Sequence, residues 1–191
     1  MSSAVLDCPE AGLPRSLEEL QEKLGYRFAD SSLLRDALTF RSAKAESGNG
    51  DRGHTASHIR GRMELVGDCA LGLALYTQMW EATEKPGFKE AFPDFSGKHI
   101  DAARQRVLSN RNLMAIAARL NLGDYFIIEG YPPVHAENIR RGCKTGADVL
   151  EAVCAAIYLD AKDIAPVKAF LERSVEDNKI ALYQPPARGR E

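Results

Sequence analysis

The apolar and polar positions of the chain sort into helical segments separated by short breaks. Residues 1–15 show no periodicity and hold Pro9, Gly12 and Pro14, the pattern of a flexible arm. Ser16 followed by Glu19 has capping-box spacing ahead of Leu17, Leu20 and Leu24, and Gly25 is placed to stop this first helix. Asp30 caps a second helix through Leu33, Leu34, Ala37 and Leu38. Residues 44–58 hold three glycines and almost no apolar side chain, which predicts a flexible insertion. Leu- and Ala-rich sequence then runs from 62 to 80, long enough for five turns of a buried helix that Lys85-Pro86-Gly87 closes. Spacing of i, i+3, i+4 over 100–108 and 113–120 predicts two more helices, with Gly123 as a stop. A short apolar run at 126–128 is broken by Tyr131-Pro132-Pro133. From 147 to 159 nearly every residue is apolar, so this helix belongs at the centre; an amphipathic helix follows over 166–175. Residues 179–191, with Pro185-Pro186, read as an unstructured tail. No convincing period-2 strand stands out, and the fold class is all-α, a helical bundle in one domain over 16–178.

Composition adds little to that picture except by exclusion. With 45% hydrophobic and 27% charged residues, the chain of 191 falls in the ordinary globular range and has room for one real core. No apolar run reaches eighteen residues, so no membrane span is expected, and the acidic first twenty residues resemble neither a secretory signal nor a transit peptide. Cys8, Cys69, Cys143 and Cys154 lack paired spacing; Cys69 and Cys154 lie in apolar stretches where thiols pack as small hydrophobes, which points to an intracellular, reducing compartment. Net charge is −2, yet Lys98 to Lys144 carries eight cations (Lys98, Arg104, Arg106, Arg111, Arg119, Arg140, Arg141, Lys144) against four anions, a local +4. That stretch reads either as a phosphate-facing side or as a solvated helix face.

The chemistry rests on four acids in the two most apolar helices. Glu64 and Asp68 are spaced i, i+4, and Asp148 and Glu151 are spaced i, i+3, so each pair shares one helix face. Ionised carboxylates are costly to bury without compensation, and the cations at hand are Arg60, Arg62 and Lys144 at the helix ends. Two readings stand side by side: four acids converging on a divalent cation, or two pairs near helix starts stabilised by the macrodipole. All-oxygen ligation would select Mg²⁺ or Mn²⁺ over zinc and lead to phosphodiester hydrolysis. His54 and His58 have zinc-like spacing but sit in the Gly-rich insertion, and Ser109-Asn110 reads as a helix cap rather than a nucleophile. Leu71, Ala74 and Leu75 read as core.

Met63-Glu64-Leu65-Val66-Gly67-Asp68 resembles the signature helix of the ribonuclease III family. Leu24-Gly25-Tyr26-Arg27-Phe28 and Leu33-Leu34-x-x-Ala37-Leu38-Thr39-x-Arg41-Ser42 are similar to the family's opening helices, and Leu120-x-Leu122-Gly123-Asp124-Tyr125 to its L-x-L-G-D-Y element. Lys144-x-x-Ala147-Asp148-x-x-Glu151-Ala152 through Asp160 resembles the second catalytic block, and order and spacing hold from about 17 to 175. The resemblance implies a magnesium-dependent endonuclease for double-stranded RNA, acting as a homodimer with one site per subunit and leaving 5′-phosphate and 3′-hydroxyl ends. It implies Glu64, Asp68, Asp148 and Glu151 as the metal-site acids, with Lys144 steadying them or the scissile phosphate. The alternative is a non-catalytic RNA-binding or ribosomal component with the same fold.

The departures bear on that choice. Gly61 stands where many members have a further Glu, Phe40 where A-L-T-H-R-S has His, and Leu65 where relatives carry the Phe that plugs into the partner subunit. The residues after Val175 are too few for the family's RNA-binding domain, so substrate capture is expected to involve an accessory RNA-binding protein.

Overall fold

The computed structural model describes residues 15–42, 56–91 and 95–177. Most of the arm, most of the 44–58 insertion with His54, and the 179–191 tail lie outside these residues. The elements are α1 (Leu17–Leu24), α2 (Ser31–Leu38), β1 (Thr39–Arg41), α3 (Ala56–Thr83), a single turn α4 (Phe88–Ala91), α5 (Gly97–Val107), α6 (Asn110–Arg119), a 3₁₀ turn (Leu122–Tyr125), β2 (Ile127–Glu129), α7 (Pro133–Arg141), α8 (Cys143–Ala161) and α9 (Ala165–Asp177). The architecture is the expected helical bundle, with one addition: β1 and β2 pair in parallel, Phe40 opposite Ile128.

The caps fall where the sequence places them. Ser16 Oγ accepts from Glu18 N–H, Gly25 closes α1 at φ +60°, Asp30 accepts from Ser32 N–H, and Ser109 caps α6 by accepting from Asn112 N–H. Two boundaries differ. α3 begins at Ala56 rather than 62, so residues 56–58 belong to the helix and not to the insertion. Tyr131-Pro132-Pro133 does end the apolar run, and the second proline also opens α7, a helix the sequence pattern does not predict, since a proline at a helix start lacks only a donor that would have no partner there.

α3 and α8 form the most extensive helix pair, and the other elements wrap them. α8 sits at the centre as expected: Val149, Leu150 and every residue from Ala152 to Ile157 are buried. Leu71, Ala74, Leu75 and Met79 of α3 face it as core. Gly67 sets the spacing of the pair, since a Cβ there would overlap the Glu151 carbonyl. Cys154 is buried, its thiol pushed up by desolvation, but Cys69 is exposed, correcting the expectation that both pack as core. Among the described residues no helix is long and apolar enough to cross a membrane.

The far end of α8 anchors the first loop. Asp160 accepts hydrogen bonds from the Ala29 and Asp30 N–H groups (2.9 and 2.8 Å) and from the Tyr26 hydroxyl (2.8 Å). Burial alone would raise the Asp160 carboxyl, but these bonds outweigh it and hold it below the usual range. Tyr26 is pushed up to about 12, by burial first and then by that bond. The Gly25-Tyr26-Arg27-Phe28 stretch thus acts as a tie between α1, α2 and α8.

Candidate metal centre

Three of the four acids converge where α3 crosses α8. One carboxylate oxygen from each of Glu64, Asp148 and Glu151 lies within 4.8 Å of the others, and all three residues are half-buried. Helical spacing aims each pair at the facing helix, and Gly67, between the two acids of α3, lets that helix approach closely enough for the pairs to meet. Because α3 starts at Ala56, Glu64 and Asp68 lie beyond its first two turns, and Asp148 and Glu151 lie beyond the first turn of α8. A macrodipole acts over the terminal turn. It therefore does not account for these acids, and the first of the two readings open at the sequence level is the one that the geometry favours.

The electrostatics agree. Glu151 is pushed up to about 7, by burial first and then by the charges of Asp68, Glu64 and Asp148. Glu64 is raised by burial and by Asp148, while Lys144 and Arg60 pull it back. Glu64 and Glu151, whose charged forms burial and their acidic neighbours disfavour, make with Asp148 an all-oxygen donor set of the kind that suits a hard divalent cation.

Asp68 stands apart from this trio. It is half exposed, and both its oxygens lie 3.2 Å from Nη2 of Arg104 on α5. Lys144, on the first turn of α8, is exposed and acts on Glu64 through its charge rather than through a described bond. Arg60, one turn before Glu64, donates to the Thr39 carbonyl (2.8 Å) and lies 4.0 Å from the centre of the Phe40 ring. Phe40, where the family pattern has His, is itself positioned by β1 against Phe126, the residue just before β2 (5.0 Å). Gly61 has open space around its Cβ position.

Sequence reasoning missed Arg104 as a site residue and counted it only within the basic stretch. That stretch is less available than its +4 implied: Arg104 pairs with Asp68, Arg119 with Asp177 (3.7 Å), Arg141 with Glu137, and Arg140 donates to the Gly123 carbonyl (2.9 Å). Along α3, Leu65 (70% exposed), Cys69, Leu73, Tyr76 and Trp80 form one exposed stripe, about 80° wide at helical spacing. Val66, next to Leu65 in sequence, lies off this stripe and packs against the core.

The comparisons with known proteins bear on the same residues. Residues 61–162, more than half of the chain, match the ribonuclease III domain. The chain is 35% identical over 144 residues to ribonuclease 3 of Syntrophobacter fumaroxidans, covering 75% of this chain and 53% of that one. It is 32% identical over 145 residues to ribonuclease 3 of Glaesserella parasuis, covering 76% and 55%. The chain therefore spans about half the length of these relatives. Its fold is similar to the nuclease domain of ribonuclease III from Campylobacter jejuni, with a TM-score of 0.65 at 23% identity over 87% of this chain and 98% of that one. A second structure of that domain, described by structural flexibility in a region involved in dimer formation, gives 0.64 at 24% identity, covering 85% and 98%.

Proposed function

Because this chain belongs to the ribonuclease III family, we propose that it is an endoribonuclease that hydrolyses the phosphodiester bonds of double-stranded RNA, leaving 5′-phosphate and 3′-hydroxyl ends. The observation that carries the reading is the meeting of Glu64, Asp148 and Glu151 across the α3–α8 contact, with Asp68 beside them. The donor set fits Mg²⁺, with Mn²⁺ as a substitute, since both take carboxylate oxygen. When bound, the cation supplies an activated water and neutralises charge growing on the phosphate. The chain's own residues do the rest. Glu64, Asp148 and Glu151 hold the cation, and Lys144 adds a positive charge on the Glu64 side where the scissile phosphate would lie. Residues 16–178 are the catalytic domain of this proposal.

The test is cleavage of long duplex RNA in Mg²⁺ and in EDTA. We expect chain scission in Mg²⁺ that EDTA stops and added Mn²⁺ restores. Duplex binding without scission would favour the non-catalytic alternative. An accessory RNA-binding protein is part of the proposal, because so many of the cations of 98–144 are already engaged within the fold.

The exposed stripe of α3 supports a homodimer, since an apolar helix face of that length is a self-complementary surface about a two-fold axis. The metal centre lies alongside it, so each subunit would present one site. We expect light scattering at micromolar concentration to give twice the 21.0 kDa chain mass. Changing Leu65 and Leu73 together to Asp should return the protein to the single-chain mass, and a parent that is monomeric throughout would refute the dimer.

A further inference from the structure

Two cations flank the acids, each one helical turn ahead of one of them: Arg60 ahead of Glu64 on α3, and Lys144 ahead of Asp148 on α8. The charges of both reach the Glu64 carboxylate. They are held in different ways. Lys144 is exposed, whereas Arg60 is half-buried and clamped. Its Nη1 donates to the Thr39 carbonyl (2.8 Å), and its guanidinium lies 4.0 Å from the centre of the Phe40 ring. Thr39 and Phe40 are fixed in turn, since both are buried and β1 is paired with β2. The clamp sets the guanidinium in place before any substrate arrives, which lowers the rotamer entropy lost on forming a further contact. Neither a carbonyl nor a ring cancels its charge.

We propose that Arg60 is a substrate-contacting residue that takes an RNA phosphate next to the scissile one and so sets the strand in register with the acids. The inference rests on the reading that this chain engages duplex RNA at the centre formed by Glu64, Asp148 and Glu151. A guanidinium suits phosphate because it is planar, always charged and able to donate two parallel hydrogen bonds. Four residues of helix separate Arg60 from Glu64 by about 6 Å, the scale of one nucleotide step along a strand. Carboxylates alone repel a polyanion, and a fixed positive charge on the same helix face gives the backbone a place to lie. Tying β1 to α3 would need only a donor to the Thr39 carbonyl and no charge, and that contrast is what the experiment reads.

The test is fluorescence anisotropy of a short RNA duplex titrated with the full chain in EDTA over a salt series, which counts phosphate contacts without cleavage. Arg60→Met should weaken binding at low salt at least about tenfold, the scale of one lost hydrogen-bonded charge contact. It should also lower the slope of log affinity against log salt by about one for each subunit in contact with the duplex. Arg60→Lys keeps the charge and loses the fork, so the parent slope should persist, with binding no more than about threefold weaker. Arg60→Gln serves should Arg60→Met not fold, and the same losses are expected. A parent slope in the neutral variants would overturn the proposal and leave Arg60 as a tie between β1 and α3. Equal losses in Arg60→Lys and Arg60→Met would overturn it as well, by making the clamp rather than the charge the cause. A parent chain that binds no duplex at low salt would instead overturn the RNA reading itself, and this inference with it.

Discussion

Replacing Glu151 with Gln should abolish metal-dependent cleavage and, at the same time, stabilise the metal-free protein at alkaline pH. The first effect follows from charge: the amide keeps the shape of the side chain but removes the one carboxylate ringed by Glu64, Asp68 and Asp148. A loss of at least a hundred- to a thousandfold is the order expected when one preorganised electrostatic group is removed. The second effect follows from linkage. Glu151 titrates near its ordinary 4.5 when unfolded and is pushed up to about 7 in the folded chain. Between these values the folded protein holds a proton that the unfolded chain has released, so stability falls as pH rises from 4.5 through 7 and stays reduced above. Gln carries no such charge. Thermal unfolding in EDTA should therefore give coincident midpoints for parent and variant below pH 4.5, with the variant several degrees higher at pH 8. Adding Mg²⁺ at pH 8 should raise the parent midpoint and leave the variant where it was. A variant that still cleaves in Mg²⁺, or melting curves that stay parallel across the pH series, would remove Glu151 from the centre.

That centre was legible in the sequence to the extent that its information is local. An i, i+4 pair in one apolar helix and an i, i+3 pair in another specify two acidic faces, and apolar helices must pack. What spacing cannot encode is a partner far along the chain. Arg104 is 36 residues from Asp68, on a different helix, and only the packing of α5 against α3 brings them together. The same holds for β1 and β2, three residues each and 88 apart in register, too short for alternation to register as a pattern. Cys69 was misread because the exposed sector of α3 is itself apolar. Hydropathy alone does not separate such an exposed apolar sector from the buried one on the same helix. The start of α3 was misplaced because Gly- and Ser-rich sequence conceals its first turns. That error made the macrodipole look like a sufficient account of Glu64 and Asp68, and six more residues of helix removed it.

Two glycines on α3 should respond in opposite directions to the same change, and the contrast tests how the metal centre is held together. In a helix interior Ala is favoured over Gly by roughly 0.8–1.0 kcal/mol, so a Gly→Ala change with room for the methyl stabilises. Gly61 is such a position, with nothing within 4 Å of its would-be Cβ. Gly67 is not. A methyl there would overlap the Glu151 carbonyl, a backbone group hydrogen-bonded within α8 that cannot turn aside as a side chain could. Relief requires the two central helices to part along their most extensive contact. The cost should exceed the 1–3 kcal/mol typical of an overpacked core, against which the propensity gain is small. The parting would also carry Glu151 away from Glu64, spreading the carboxylates that lie within 4.8 Å. Denaturant unfolding should therefore place Gly61→Ala at or slightly above the parent and Gly67→Ala at least about 3 kcal/mol below it. Any folded Gly67→Ala protein should bind Mn²⁺ more weakly than the parent, whereas Gly61→Ala should bind it unchanged. A Gly67→Ala protein as stable as the parent, with metal affinity intact, would mean that the helices do not approach closely at this point and that another contact sets the geometry of the acids.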